Sequence, residues 1–264
     1  MDTYSHVYLS PHLDDAVLSC GGRIWQQAQA GERVLVVTLF GGAPPPATPF
    51  SPFAQSLHAR WGYAADAILR RQEEDRAALA ILGAEALHWP YTDCIYRRTP
   101  DGDFPYASET SLWGAIHPAD EGLVAELAGR IAALPLGQDS ALYAPLAAGH
   151  HVDHQIARRA AQDSGRLPVY YEDYPYAARD PLAVQTALGE AHGKPELLLL
   201  SEEALQAKIA AIACYRSQLS TFWPSAAEMA AAVRAFAEQV GDGTPAERYW
   251  RLQTSTASGK ARRP

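Results

Sequence analysis

Two apolar runs, at residues 6–9 and 33–40, flank an amphipathic segment within the first forty residues of the chain. The second run is apolar on both faces, which is typical of a central strand in a parallel sheet. Between the runs, small and apolar residues recur at helical spacing, at Val17, Leu18, Gly21, Ile24, Trp25 and Ala28. A strand, a helix and a strand in so short a stretch predict a right-handed βαβ unit.

The alternation of strand and helix patterns continues along the chain. Further strands are predicted near residues 86–89, 141–144, 167–171 and 197–200. Further helices are predicted near residues 63–82, 123–131, 155–162, 202–217 and 226–240. The segments 41–52 and 97–120 are rich in Pro and Gly or lack periodicity, so we expect loops there. The pattern as a whole predicts an α/β fold with a doubly wound, mainly parallel sheet and helices on both faces.

Length and composition are those of an ordinary soluble protein. The chain has 264 residues, which favours one domain over residues 1–253 with a flexible polar tail at 254–264. A net charge of −8 argues against nucleic acid or an anionic membrane surface as a partner. Three widely spaced cysteines indicate no disulfide framework, and the start of the chain lacks a basic signal region. No apolar run approaches the ~18 residues of a membrane span. We expect a cytoplasmic protein, and its oligomeric state stays open.

Polar residues cluster after two of the predicted strands. The segment 10–16 contains His12, Asp14 and Asp15 directly after the first strand, and the segment 150–154 contains three of the nine histidines. Both segments are predicted to lie at the carboxyl edge of the sheet, where open α/β sheets bind ligands. We therefore expect the two clusters to meet and to hold a catalytic zinc ion.

The chemistry of zinc assigns candidate roles to these residues. Catalytic zinc takes three protein ligands and keeps one position for water. His12 and Asp15 are three residues apart across a turn, so both can converge on one ion, and His154 can add the third ligand from the distant loop. Asp14 then lies within reach of the water, whose pKa zinc lowers to about 7, and can take its proton.

Two more residues of the second cluster have candidate roles. His151 could be protonated and stabilise an oxyanion on the substrate. Asp153 could hydrogen-bond a histidine and hold it in place.

Each cluster also has a purely structural interpretation. Asp14 or Asp15 could cap the first helix and complement its dipole. His12 taken alone could be a buried structural histidine, and the segment 150–154 could be a solvated turn. The position of both clusters at strand ends favours a site, but spacing leaves open which metal is bound and which bond is broken.

Residues 11–15, Pro-His-Leu-Asp-Asp, resemble the His-Pro-Asp-Asp motif of the PIG-L/LmbE-like zinc-dependent de-N-acetylases. Residues 151–154, His-Val-Asp-His, resemble the second motif of that family, His-Pro-Asp-His. Weaker similarities are an Arg-x-x-Glu helix at Arg71, an aspartate after the third strand at Asp93, and a late helix ending in Ser-Gln at 217–218. The resemblance covers about residues 5–220.

The resemblance implies a Rossmann-like fold and hydrolysis of the N-acetyl group of a small glucosamine-type conjugate, with Zn²⁺ as cofactor. The ligands that it implies are the expected three, His12, Asp15 and His154. The other assignments that it implies are Asp14 as general base, His151 as the residue that polarises the carbonyl, Asp153 as the residue that orients His151, and Arg71 and Asp93 as sugar contacts. Arg71 and Asp93 could equally form surface ion pairs.

Three departures from the family motifs leave the substrate open. Leu13 and Val152 stand where the family has proline, and Ala16 replaces an acidic residue, but no implied ligand or base is lost. The tyrosine-rich segment 170–176 and the segments 41–62 and 97–118 are candidates for substrate specificity.

Two other functions remain alternatives. One is a metal-dependent hydrolase of another ester or amide bond, such as a phosphoester. The other is a non-catalytic Rossmann-type ligand-binding protein, which the lack of a Gly-x-Gly-x-x-Gly motif after the first strand disfavours.

Overall fold

The computed structural model describes residues 3–63, 66–180, 182–189 and 193–252. Its strands are β1 Tyr4–Ser10, β2 Val34–Thr38, β3 Glu85–His88, β4 Leu136–Pro145, β5 Val169–Tyr171, β6 Gly193–Leu199 and β7 Ala246–Leu252. Its helices are α1 Asp15–Gln29, α2 Pro52–Trp61, α3 Ala67–Leu82, α4 Glu109–Leu112, α5 Glu121–Ala132, α6 Val152–Asp163, α7 Tyr176–Arg179, α8 Ala183–Leu188, α9 Glu202–Ile212, α10 Arg216–Phe222 and α11 Ala226–Val240.

All of these strands belong to one sheet, in the order β3-β2-β1-β4-β5-β7-β6. The pairs among β1 to β5 are parallel, whereas β7 runs antiparallel to both β5 and β6. The chain moves outward from β1 to β3 on one side and then returns to place β4 on the other side of β1. The strand order therefore reverses between β1 and β4, where doubly wound folds bind their ligands.

Each face of the sheet is covered by helices. On β1, Tyr8 packs into a core with residues of α1, α3, α9 and α11, whereas its neighbours Val7 and Leu9 pack into a second core with α5 and α6. Successive side chains of a strand point to opposite faces, so the continuous apolar run in β1 serves both cores. The predicted α/β, mainly parallel sheet with helices on both faces is confirmed.

The structure differs from the sequence prediction at several elements. Helix α2 lies within the segment that was expected to be a specificity loop, and β7 follows residue 240, where no element was predicted. The helix predicted over 202–217 is two helices, α9 and α10. Helix α6 begins at Val152, so His154 lies in the first turn of a helix and not in a loop as predicted.

The structure bears only in part on two further predictions, the absence of a membrane span and the division into one domain and a tail. None of the helices in the described ranges combines the length and the apolar character that crossing a membrane needs. The tail at 254–264 lies outside the described residues, and one domain over 1–253 stays a prediction.

Candidate metal centre

Four strand ends supply the residues of the site. His12 follows β1, Asp93 follows β3, the segment 151–154 follows β4, and Asp173 follows β5. Because these four strands are parallel, their carboxyl ends lie at one edge of the sheet. The site is thus centred on the β1/β4 pair, where the strand order reverses.

The turn from β1 into α1 is held by Ser10. The Ser10 hydroxyl donates to the carbonyl oxygen of His12 (2.6 Å) and accepts from the N–H of Ala16 (3.0 Å). Asp14 is the cap residue of α1, but its side chain makes no capping hydrogen bond. Asp15 Oδ2 accepts from the main-chain N–H of His12 (2.7 Å). The structure therefore does not support helix capping as the role of Asp14.

The turn from β4 into α6 requires an unusual backbone. Ala147, Gly149 and His150 have positive φ angles. A Cβ atom on Gly149 would lie 2.8 Å from the Cβ of Tyr176, so glycine is the residue that fits there. This turn leaves His150 exposed, with its Nδ1 donating to the carbonyl oxygen of Trp113 (3.2 Å), and places His151 at the start of α6.

The three expected ligands converge. Asp15 Oδ2 lies 3.3 Å from Nδ1 of His12 and 3.3 Å from Nε2 of His154. In a tetrahedral site with bonds of 2.0–2.1 Å, ligand atoms are about 3.3 Å apart. His154 is fully buried, and its Nε2 has no hydrogen-bond partner among the described residues. Lone pairs of two histidines and a carboxylate that face each other in a buried place fit a zinc ion between them.

A carboxylate holds the other nitrogen of each of these histidines. His12 Nε2 donates to Asp153 Oδ2 (2.9 Å), and His154 Nδ1 donates to Asp173 Oδ1 (2.6 Å). Such bonds fix the tautomer and orientation of a metal-binding histidine. Asp173 was not singled out from the sequence. The sequence feature that could have identified Asp173 is its position two residues after β5, at the same edge of the sheet as the other strand ends.

The Asp153 carboxylate contacts residues other than His151, the one that it was expected to orient. Its Oδ2 accepts from His12 and from the N–H of Cys94 (3.0 Å), and its Oδ1 pairs with Arg97 (2.5 Å). The main-chain N–H of Asp153 instead donates to Nδ1 of His151 (3.2 Å). Because Nδ1 of His151 caps α6, the described residues show no hydrogen bond between this ring and the Asp153 carboxylate, and the histidine that the carboxylate holds is His12.

Burial and neighbouring charges set the protonation of the three histidines. Burial lowers the pKa of His12 and of His154, but nearby carboxylates outweigh it and raise both, that of His154 to about 10. Burial lowers the pKa of His151 well below its usual value, and the neighbouring His12 and His154 lower it further. This direction favours the neutral form of His151, whereas the sequence suggested that the ring could be charged. Because its Nδ1 accepts a hydrogen bond, its hydrogen is on Nε2.

The two adjacent aspartates titrate in opposite directions. Burial raises the pKa of Asp14 to about 7, and the charge of Asp15 adds to this, while Arg71 and His12 oppose it. Burial also acts to raise the pKa of Asp15, but His154 and His12 together hold it well below its usual range. Asp15 thus has the charge of a metal ligand, and Asp14 has a pKa close to that of an effective general base at neutral pH.

Arg71 and Asp93 are both buried beside the cluster, so neither is a surface ion pair. The Arg71 guanidinium stacks on Trp61 (4.8 Å to the ring centre) and lies 3.6 Å from Asp14 Oδ2. Its Nε has no hydrogen-bond partner among the described residues. Asp93 Oδ1 accepts from the N–H of Ile95 (3.2 Å), and its Oδ2 lies 3.8 Å from Nε2 of His12.

A cavity of about 200 Å³ opens onto this cluster. His12, Asp14, Asp15, Asp93 and His151 form its polar floor. Its walls include the apolar residues Phe53, Leu57, Trp61, Ile95, Leu112, Trp113 and Phe222. The cavity therefore presents the candidate ligands and base to a molecule that enters from solvent, beside an apolar wall supplied mainly by α2, α4 and α10.

Comparison with known proteins identifies the family. The family model for PIG-L, described as GlcNAc-PI de-N-acetylase, matches residues 7–164. The chain belongs to the PIG-L family. The matched segment contains both polar clusters, and the resemblance seen in the two motifs is confirmed.

Several of the similar proteins are deacetylases. 2'-N-acetylparomamine deacetylase from Niallia circulans is 25% identical over 275 residues, which cover 97% of this chain and 93% of that protein. A crystal structure of the zinc-inhibited form of teicoplanin deacetylase Orf2 is 32% identical, with a TM-score of 0.83 over 96% of this chain and 99% of that one. The structure of A40926 pseudoaglycone deacetylase Dbv21 is 32% identical, with a TM-score of 0.76 over 96% and 98%. This PIG-L chain is therefore a homologue of deacetylases along nearly its whole length.

Proposed function

We propose that this chain is a zinc-dependent deacetylase that removes the acetyl group from an N-acetylated amino sugar in a small glycoside. The observation that carries the proposal is the convergence of His12, Asp15 and His154, with the buried carboxylate of Asp14 beside them at the floor of an open cavity. Membership of the PIG-L family and similarity to deacetylases support the same reaction.

In the proposed reaction, a metal ion and the side chains around it have separate roles. A zinc ion supplies Lewis acidity, which activates water and polarises the amide carbonyl. Asp14 accepts a proton from the attacking water as the C–O bond forms, and returns it to the nitrogen as the C–N bond breaks. The products are acetate and a free amine. A base with a pKa of about 7 suits both transfers at neutral pH.

His151 acts on the carbonyl oxygen of the substrate. Its Nδ1 is occupied by the N–H of Asp153, so Nε2–H is the donor that it can offer to the developing negative charge. A neutral donor fixed by a helix end needs no proton transfer to do this. Asp153 acts through His12, which its carboxylate orients, and Asp173 does the same for His154.

Arg71 and Asp93 are the proposed sugar contacts. The unpartnered Nε of Arg71 offers a donor near Asp14, and Asp93, whose Oδ2 lies 3.8 Å from Nε2 of His12, offers an acceptor. The apolar wall of the cavity suits the part of the glycoside beyond the acetylated ring. An assay against a panel of glycosides determines which glycoside is bound.

The experiment is an assay of zinc-loaded protein against N-acetylated amino sugars, with acetate and free amine as readouts. The panel contains N-acetylglucosamine glycosides with small and aromatic aglycones, an acetylated aminoglycoside, and a phosphomonoester as a probe of the alternative hydrolase. Release of equal amounts of acetate and amine by the wild type, and its loss in Asp14→Asn, are expected. Phosphate release without acetate release would contradict the proposal.

A further inference from the structure

Negative charge exceeds positive charge around the candidate metal centre. Six aspartates there are buried, namely Asp14, Asp15, Asp93, Asp120, Asp153 and Asp173. Within the described residues, the ion pairs with arginine that they make are those of Asp14 with Arg71, and of Asp120 and Asp153 with Arg97. One zinc ion and two guanidiniums supply four positive charges against six carboxylates, or against five when Asp14, whose pKa is about 7, is protonated. Buried charge that is not compensated destabilises the folded protein, and a second bound cation would reduce the excess of negative charge in this region.

A second set of metal-ligand atoms lies beside the first. Sγ of Cys94, a ring nitrogen of His151 and a carboxylate oxygen of Asp153 lie within 4.8 Å of one another. All three residues are buried, and His151 also lines the cavity, which gives an ion access. Thiolate, imidazole and carboxylate are the ligands that zinc prefers. The thiol of Cys94 has no part in the proposed reaction.

The backbone holds Cys94 in place. It begins a single 3-10 turn, Cys94–Tyr96, which Asp93 caps by accepting from the N–H of Ile95. The N–H of Cys94 itself donates to Asp153 Oδ2. The main chain of Cys94 is thus bonded to the same carboxylate that orients His12, which keeps the thiol close to this carboxylate without any ion.

We propose that Cys94, His151 and Asp153 form a second zinc site, and that zinc bound there inhibits the enzyme. On binding, the thiol gives up its proton to solvent and a sulfur–zinc bond forms. His151 then binds the ion and no longer donates to the substrate carbonyl. The inhibition rests on the proposed function of His151, whereas occupancy of the site does not.

Cobalt(II) distinguishes the two sites because only the second contains sulfur. Metal-free full-length protein is titrated with Co²⁺ while the near-ultraviolet absorption and the bound metal are measured. We expect the first equivalent to bind without a thiolate-to-cobalt charge-transfer band, and the second equivalent to produce that band. No band at two or more equivalents would overturn the proposal.

Variants assign the band to one cysteine. Cys94→Ser is expected to lose the band and to bind one metal instead of two, and Cys94→Ala serves the same purpose if the serine variant does not fold. Cys214→Ser is the control, because that cysteine is half-buried in the turn between α9 and α10 and does not line the cavity. Loss of the band in Cys214→Ser, or its persistence in both Cys94 variants, contradicts the assignment.

Inhibition is measured separately by acetate release as zinc is raised above one equivalent. The zinc concentration for half-inhibition is expected to increase about tenfold or more in Cys94→Ser, with activity at one equivalent unchanged. If the protein shows no deacetylase activity at any zinc level, the proposed function fails, but the cobalt band still decides the second site. If zinc inhibits wild type and Cys94→Ser equally, the inhibitory role is wrong.

Discussion

Asp14 and Asp15 are adjacent in the sequence, yet they face different partners. Asp15 Oδ2 lies between the rings of His12 and His154, whereas Asp14 lies at the cavity floor near Arg71. The difference arises because Asp15 is the first helical residue of α1, whereas Asp14 before it has a non-helical backbone, so the two side chains leave the chain in different directions. One carboxylate therefore suits metal binding, and the other suits proton transfer.

Replacing Asp14 with asparagine tests this division. Asp14→Asn is expected to keep one zinc per chain and to lose activity by about 10²- to 10⁴-fold in kcat, the usual contribution of a general base. His154→Ala is the matched variant, and it is expected to lose both metal and activity. The measurements are metal content after dialysis and acetate release. A metal-free Asp14→Asn protein would instead make Asp14 a ligand.

The bond between Asp173 and His154 gives a second prediction at this scale. Asp173→Asn leaves the residue size unchanged but removes the carboxylate that accepts from Nδ1 (2.6 Å), so zinc affinity is expected to fall about 10- to 100-fold. Competition with a chromophoric chelator measures the change. Glu172→Gln is the control, because that buried carboxylate pairs with Arg248 and Trp250 and does not touch the cluster. Equal affinity in the two variants would show that Asp173 does not support the metal.

Among the elements, α2 and β7 show where sequence patterns were insufficient. Helix α2 has local signals, since Ser51 caps it and Gly62 ends it with a φ of 71°, but its short length and the Pro-rich segment before it favoured a loop. Strand β7 contains Glu247, whose burial is possible because Lys208 (2.8 Å) and the N–H groups of Gly22 and Arg23 compensate its charge. A partner distant in sequence makes that charge compatible with the core, so periodicity alone does not reveal the strand.

The first turn of α6 shows what motifs predict and what they omit. The order His-x-Asp-His indicated which residues meet the first cluster, and the structure brings His154 to His12 and Asp15. The motif did not indicate that Asp153 contacts His12 and Arg97, because these three residues are far apart in the sequence. Residue types at strand ends are readable from sequence, whereas the hydrogen bonds between them depend on the tertiary structure.

The turn that leads into α6 yields a prediction at the scale of an element. Gly149→Ala is expected to destabilise the protein by more than the ~1–2 kcal/mol that a left-handed backbone costs, because the new Cβ would also clash with Tyr176. Activity is expected to fall as well, since the turn positions His151. Gly165→Ala is the control, with a φ of 76° and no atom near its Cβ. Urea unfolding and acetate release measure both effects, and equal results for the two variants would exclude the clash.

For the whole molecule, the proposed zinc ion would link parts of the chain that are far apart in sequence. Asp15 and His154 are separated by 139 positions and lie on the two sides of the reversal in strand order. An ion bound to both joins the β1–α1 turn to the start of α6 across the β1/β4 pair. Because zinc binds the folded chain and not the unfolded one, its binding free energy adds to the free energy of unfolding.

Removal of the metal is therefore expected to lower the melting temperature. Zinc at a free concentration 100 times its Kd adds about 2.7 kcal/mol, which corresponds to roughly 5–10 °C for a chain of this size. Calorimetry of chelator-treated and zinc-loaded protein measures the shift. His154→Ala, which lacks one ligand of the first site, is expected to lose most of this shift, and the double variant His154→Ala/Cys94→Ser, which also lacks the thiol of the second site, is expected to melt at the same temperature with and without zinc. A wild-type shift that the double variant retains in full would mean that zinc stabilises the fold from another place, and that the β1/β4 edge is not its principal site.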